Sequence, residues 1–140
     1  MRYRLLEHTS DLMIEVSGRN TAELFENCCY CLFDITLDHR RLKEHETRTI
    51  RLESPDLSEL FLDWIRELLF WFATEGFAPA RAEVVEAVDG RPAVLRAVLH
   101  GETIDPVRHR PKLEIKTPTY HHYRLEKLES GYRATVVLDV

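Results

Sequence analysis

Apolar residues change their spacing along the chain, and the changes mark its elements. Leu12, Ile14 and Val16 alternate with Met13 and Glu15, as a half-buried strand requires. A shorter strand is expected just before it, over 2–6, with the polar stretch Glu7-His8-Thr9-Ser10 between the two. Gly18 ends the second strand, and Asn20 followed three residues later by Glu23 reads as a capping box. Apolar residues at 24, 25, 28, 29, 32 and 33 then predict a helix over 21–35. A strand is expected over 47–53. Ser54-Pro55-Asp56 opens a second helix with a cap, a proline at the first helical position and an acid suited to the positive helix end. Its apolar positions 57, 60, 61, 64, 65, 68, 69 and 72 make it the main helix of the core, and Gly76 closes it.

From Ala80 onward the helical spacing disappears. Segments 81–88, 93–100, 112–116, 121–128 and 132–139 read as strands, with hairpin turns at Asp89-Gly90 and Ser130-Gly131. The expected fold is α+β: two helices packed on one face of a mixed, mostly antiparallel sheet, in a single domain spanning 1–140. There are no internal repeats or low-complexity tracts.

Composition narrows the function classes. Hydrophobic residues form 44% of the 140 and charged ones 31%, which fits a globular chain with a buried core. The net charge of −5 opposes a phosphate backbone at long range and confines any nucleic-acid contact to a local patch. Arg108-His109-Arg110-Pro111-Lys112 is the one such patch, and solvation alone explains it. The apolar run 57–73 is broken by Glu59, Asp63, Arg66 and Glu67, so no membrane span is expected. The opening residues show no apolar signal core, and a cytoplasmic location is expected.

Several constellations could carry chemistry. Cys28 and Cys31 make a C-x-x-C, but both fall inside a predicted helix, away from the helix N-terminus that activates a redox thiol. Together with Cys29 they read as buried hydrophobes. Asp56, Glu59, Asp63 and Glu67 read as a solvated helix face. His121 and His122 are adjacent, so in a strand they point to opposite faces, one packed and one exposed. Phosphate-loop, zinc-hydrolase and serine-nucleophile signatures do not occur.

Two segments carry more. His8-Thr9-Ser10-Asp11 packs an imidazole, two hydroxyls and a carboxylate into four residues. At the far end, Asp139 precedes Val140, whose terminal carboxylate would stand beside the Asp139 side chain. Each segment alone is explained by a turn or a solvated strand end. If the last strand lies beside the one that starts at Asp11, carboxylates converge, and two of them about 4 Å apart repel by about 4 kcal/mol at an effective dielectric of 20. A proton or a hard cation must relieve that repulsion. With oxygen donors alone, calcium is favoured over magnesium.

Five blocks resemble the archease family: His8-Thr9-Ser10-Asp11 with Leu12-Met13-Ile14; Trp64-Ile65-Arg66-Glu67-Leu68-Leu69-Phe70; Gly101-Glu102 through Asp105 and His109; Glu114 to His121; and Leu138-Asp139-Val140. They run in order along nearly the whole chain. Ser10, Arg66 and Thr117 depart from the usual family residues, and none of them removes a functional group. The resemblance implies a protein that activates a GTP-dependent RNA ligase in tRNA splicing or RNA repair, promoting its guanylylation and multiple turnover without catalysis of its own. It implies a metal site, calcium in known members, at Asp11, Asp139 and a main-chain or terminal oxygen of Val140. It also associates Asp38 and Lys116 with activation. The ligase is the implied partner, and RNA contact would be indirect or transient. Two other classes are weighed against this: a small metal-dependent phosphoester hydrolase with His8 as general base, and a general protein chaperone.

Overall fold

The computed structural model describes residues 2–6, 11–105, 107, 109 and 111–140. Along the chain lie β1 (Tyr3–Leu6), β2 (Leu12–Gly18), α1 (Thr21–Thr36), a 3-10 turn (His39–Arg41), β3 (Glu46–Ser54), α2 (Leu57–Glu75), β4 (Phe77–Val88), β5 (Ala93–Thr103), β6 (Thr117–Leu128) and β7 (Gly131–Asp139). The strands form two sheets, ordered β1-β2-β7-β6 and β3-β5-β4. The α+β class and the two helices stand as expected. The single mixed sheet does not: every strand pair is antiparallel, and the strands divide into a four-stranded and a three-stranded sheet.

The division comes from the stretch between β5 and β6. Residues 112–116, expected as a strand, carry no regular secondary structure and belong to neither sheet. Pro111 precedes them, and two of their amides reach different elements: Lys112 N donates to the Thr36 carbonyl at 2.7 Å and Lys116 N to the Asp139 carbonyl at 2.8 Å. β5 and β6 therefore never pair, and each sheet closes on its own set of strands.

Both helices start where their caps place them. The Asn20 side chain accepts from Glu23 N, and the Asp56 side chain accepts from Glu59 N. Asp56 is thus the cap of α2, and Pro55 precedes the cap instead of occupying the first helical position. Ser54 is buried, and its hydroxyl donates to Asp63 Oδ2 at 2.6 Å. Gly76 ends α2 in the left-handed region, at φ 71°, a conformation glycine adopts without steric cost.

The helices pack against strands of both sheets, α1 on β1, β2, β7 and β4, and α2 on β6, β3, β4 and β5. They are the layer that joins the sheets. Phe25 of α1 meets Phe61 and Trp64 of α2 edge-on, with ring centroids 5.5 and 6.0 Å apart. The buried Trp64 indole donates to the Phe25 carbonyl at 3.0 Å, so the largest core side chain carries no unsatisfied donor. Among the described residues, no helix is long and apolar enough to cross a membrane.

Because Phe61 is fully buried where the two helices meet, Phe61→Ala should cost about 3–5 kcal/mol in urea-unfolding free energy. A loss below about 1 kcal/mol would show that the helix contact is not central to the core.

Candidate functional site

The site is built at one end of the four-stranded sheet. β2 and β7 pair antiparallel, with Ile14 opposite Val136 and Leu12 opposite Leu138. Ile14, Val16, Ala134, Val136 and Leu138 are all buried on the helix side. One residue beyond the Leu12–Leu138 pair stand Asp11 and Asp139. The two-residue period that turns Leu138 inward turns Asp139 to the opposite face, and Asp11 forms the bend immediately before β2. Asp139 is exposed and Asp11 half-buried.

Three further elements arrive at this end. β6 pairs with β7 so that Thr117 lies opposite Asp139, and Lys116 N donates to the Asp139 carbonyl. α1 follows β2 and runs back alongside it, so its C-terminus returns to where β2 began. There the Thr36 carbonyl accepts from Lys112 N. Asp38 follows two residues later, ahead of the 3-10 turn; its carbonyl accepts from Arg41 N at 3.0 Å and its Oδ1 lies 3.5 Å from Arg40 Nε. The sheet register and the Lys116 N bond bring Lys116 to Asp139 and Val140 and set Asp11 one residue ahead of the Leu12–Leu138 pair, whereas Asp38 stands on the turn whose His39 packs on Tyr30 and bonds the Ala80 carbonyl. His8, a candidate for fixing this loop or for acting as a base, lies outside the described residues.

Among the described residues, no group of three His, Cys, Asp or Glu side chains converges to hold a metal ion. A cation at this end would therefore draw on main-chain or terminal oxygens beside the two aspartates. An all-oxygen donor set of this kind fits a hard ion of irregular coordination. One lone pair of the Asp139 carbonyl is already taken by Lys116 N, which leaves its second lone pair and the side-chain carboxylate.

A second cluster, to which the sequence alone assigned no role, stands behind the end of β5. Gly101 lies so close to β4 that a Cβ there would come 2.2 Å from the Ala78 carbonyl oxygen. Glu102 is then directed inward and is only 6% exposed. Its Oε2 accepts from Lys43 N at 2.5 Å and lies 3.1 Å from Nε2 of His109, itself 2% exposed. Asp105 N donates to His109 Nδ1 at 3.0 Å, which leaves the ring proton on Nε2 for Glu102. Asp105 also turns the loop, its Oδ1 accepting from Val107 N and its carbonyl from His109 N. With both ring nitrogens engaged, His109 is a buried brace between the loop after β5 and the turn after α1. Within the basic stretch 108–112, His109 is therefore buried, and Arg108 and Arg110 lie outside the described residues.

The remaining candidates resolve into structure. Cys28, Cys29 and Cys31 are free and buried, and loss of solvent raises all three thiols above their ordinary pKa. The acidic row of α2 is partly engaged: Asp56 caps the helix, Asp63 accepts from Ser54 and Arg66, and Glu59 accepts from the Tyr120 hydroxyl at 3.0 Å. His121 and His122 do not point to opposite faces. β6 is interrupted between Thr119 and Arg124 by a bulge in which His122 adopts φ 56°, so both rings are exposed and lie 4.0 Å apart. The bulge cancels the strand period on which the sequence argument relied.

Comparison with known proteins decides the family. Residues 3–140 match the family model described as the Archease protein family (MTH1598/TM1083). The chain belongs to the archease family. Among archease relatives, the protein archease of Methanosarcina acetivorans is 35% identical over 141 residues, covering 99% of this chain and 96% of that one. The solution structure of Methanobacterium thermoautotrophicum protein 1598 superposes with a TM-score of 0.82 at 26% identity, covering 99% of each chain. A Thermotoga maritima crystal structure, titled an archease and possible chaperone, shares the fold at TM-score 0.58 and 22% identity, covering 96% of this chain and 94% of that one.

Two outcomes follow for this archease-family chain. His109→Ala removes the donor to a buried carboxylate and should cost about 1–3 kcal/mol of stability by chemical denaturation; wild-type stability would show that the brace carries no load. The three thiols should resist a thiol-specific chromogenic reagent at pH 8 in the native protein and react together in denaturant. Fast native labelling of any of them would contradict their burial.

Proposed function

We propose that this archease-family chain is a metal-binding protein cofactor that activates a GTP-dependent RNA ligase in tRNA splicing or RNA repair. It promotes guanylylation and multiple turnover of the ligase and supplies no catalysis of its own. The observation that supports this reading is the β2–β7–β6 register, in which Leu12 opposes Leu138 and Thr117 opposes Asp139. That register sets Asp11 and Asp139 each one residue beyond a buried pair and Lys116 next to Thr117, which supports reading these three as one site.

In this account Asp11, Asp139 and a main-chain or terminal oxygen of Val140 hold a divalent cation, calcium by the hardness of the donors. When bound, the cation neutralises the facing carboxylates and ties the end of β7 to the start of β2. The chain's own residues do the rest. Lys116, fixed through its amide to Asp139, presents a positive charge beside the acidic tip, and Asp38 presents a carboxylate from the turn after α1. Nucleotidyl transfer needs positioning and charge neutralisation more than it needs a second nucleophile, so a rigid charged tip entering the ligase's active-site cleft can accelerate it. The place of action is the cytoplasm, and RNA is met through the ligase.

Neither alternative has an observation in its favour. The hydrolase would use His8 as its base, a residue outside the described ones. A general chaperone, as the Thermotoga protein's title describes that protein, would use a contiguous apolar surface. Here the exposed large apolar residues among those described are spread out: Leu5 on β1, Phe70 on α2, Val85 and Val88 on β4, Val107 in the loop after β5, Tyr120 on β6 and Val140 after β7.

With the cognate ligase, Asp11→Ala and Asp139→Ala should leave the circular dichroism spectrum unchanged and lower stimulation of multiple-turnover ligation at least tenfold. Undiminished stimulation by both variants would refute the site. Nucleotide turnover by the purified chain without any ligase would replace the activator with an enzyme.

A further inference from the structure

Asp38 stands immediately before the 3-10 turn His39–Arg41, at a position where an acid ordinarily bonds the first free amides. Asn20 and Asp56 do this at the starts of α1 and α2, whereas the Asp38 side chain makes no capping bond. Its carboxylate is 44% exposed and lies 3.5 Å from Arg40 Nε, a surface pair of small energetic weight. What fixes the place of this carboxylate is therefore the turn that carries it.

His39 holds that turn. Its Nε2 lies 2.6 Å from the Ala80 carbonyl oxygen. A carbonyl can only accept, so Nε2 carries the ring proton and donates it. Ala80 is the residue left without a β5 partner where the β4–β5 register shifts between Pro79 and Arg81, and a bulge of this kind releases main-chain groups from the ladder. The His39 ring also lies against Tyr30 of α1, with centroids 4.4 Å apart, and the Arg2 guanidinium sits 4.0 Å over that tyrosine. One side chain thus ties the turn to both α1 and β4. Leu37 and Leu42 are buried on either side of it, and Lys43 N donates to Glu102 Oε2. An apolar side chain at 39 would fill the same space against Tyr30, but it would lack the directional bond that sets the orientation of the turn.

We infer that His39 is a positioning residue for Asp38: through its bond to the Ala80 carbonyl it holds the turn so that the Asp38 carboxylate meets the ligase in one orientation. This rests on the reading of the chain as a ligase activator, and it adds a residue that acts through Asp38 without contacting the ligase itself. On a loosened turn the carboxylate would have to be ordered at each encounter, which weakens its effect while leaving its charge in place.

Leucine keeps bulk against Tyr30 and removes the donor, whereas glutamine keeps a donor near the place of Nε2. In the free chain, His39→Leu should speed hydrogen exchange of the Arg41 and Leu42 amides, which close the turn, by about tenfold, and His39→Gln by less than about threefold. With the cognate ligase and a saturating amount of the full chain, H39L should lower the stimulated guanylylation rate by about tenfold, and H39Q should restore most of it. In an Asp38→Asn background H39L should lower the rate no further, because residues that act as a unit are not additive. Asparagine, whose amide stops short of Ala80, carries the same expectations as leucine and replaces it if H39L does not fold. Wild-type exchange, wild-type stimulation, or an equal further loss in the Asp38→Asn background would overturn the inference and leave the activator reading intact. A wild-type chain without effect on the ligase would overturn both.

Discussion

Everything at the functional end depends on how β7 is held. It is an inner strand of the four-stranded sheet, paired on one side with β2 and on the other with β6, and Ala134, Val136 and Leu138 bury their side chains against the helices. A slip of one residue would turn all three away from the helices, so their packing against the helices fixes the register. With the register fixed, Asp139 follows Leu138, the partner of the first residue of β2, and on its other side meets Thr117 and the amide of Lys116. The hydrophobic effect thus assembles a polar site one residue beyond the last buried pair.

The two helices extend that constraint to the second sheet. α1 runs back along β2 because a short turn joins them, and the Thr36 carbonyl at its C-terminus meets the amide of Lys112. From there the segment 111–116 bridges from the Thr36 carbonyl to the Asp139 carbonyl, while Glu102 and His109 hold the loop behind it against Lys43. The site is therefore supported from both sheets although its candidate ligands come from one.

How much of this was legible in the sequence follows from the range of the interactions involved. Helix limits are set by neighbours a few residues apart, which is why Asn20 with Glu23 and the closing Gly76 were readable, and why the predicted 21–35 falls within one residue of α1. Alternation exposed β2 and β7 individually. Their pairing is non-local, and so the meeting of Asp11 with Asp139 could be written only as a condition. Residues 112–116 alternate like a strand but lie in neither sheet, because the amides at their two ends bond to different elements, the end of α1 and the end of β7. The bulge that sets His121 beside His122 leaves no mark in local composition. Neither does the Glu102–His109 contact, which needs Gly101 pressed against β4 before Glu102 can turn inward. Proline at 55 misled by one position because Asp56 is the better cap.

Calorimetric titration of calcium into the metal-free chain and into its Asp139→Asn variant tests the central claim most directly. If the end of β7 and the start of β2 share a cation, the wild-type chain takes up one calcium ion and unfolds at a higher temperature with it, by about 2.7 kcal/mol of added stability at a hundredfold excess over Kd, and the variant shows neither effect. Absence of uptake by the wild-type chain, or equal uptake by the variant, contradicts the account.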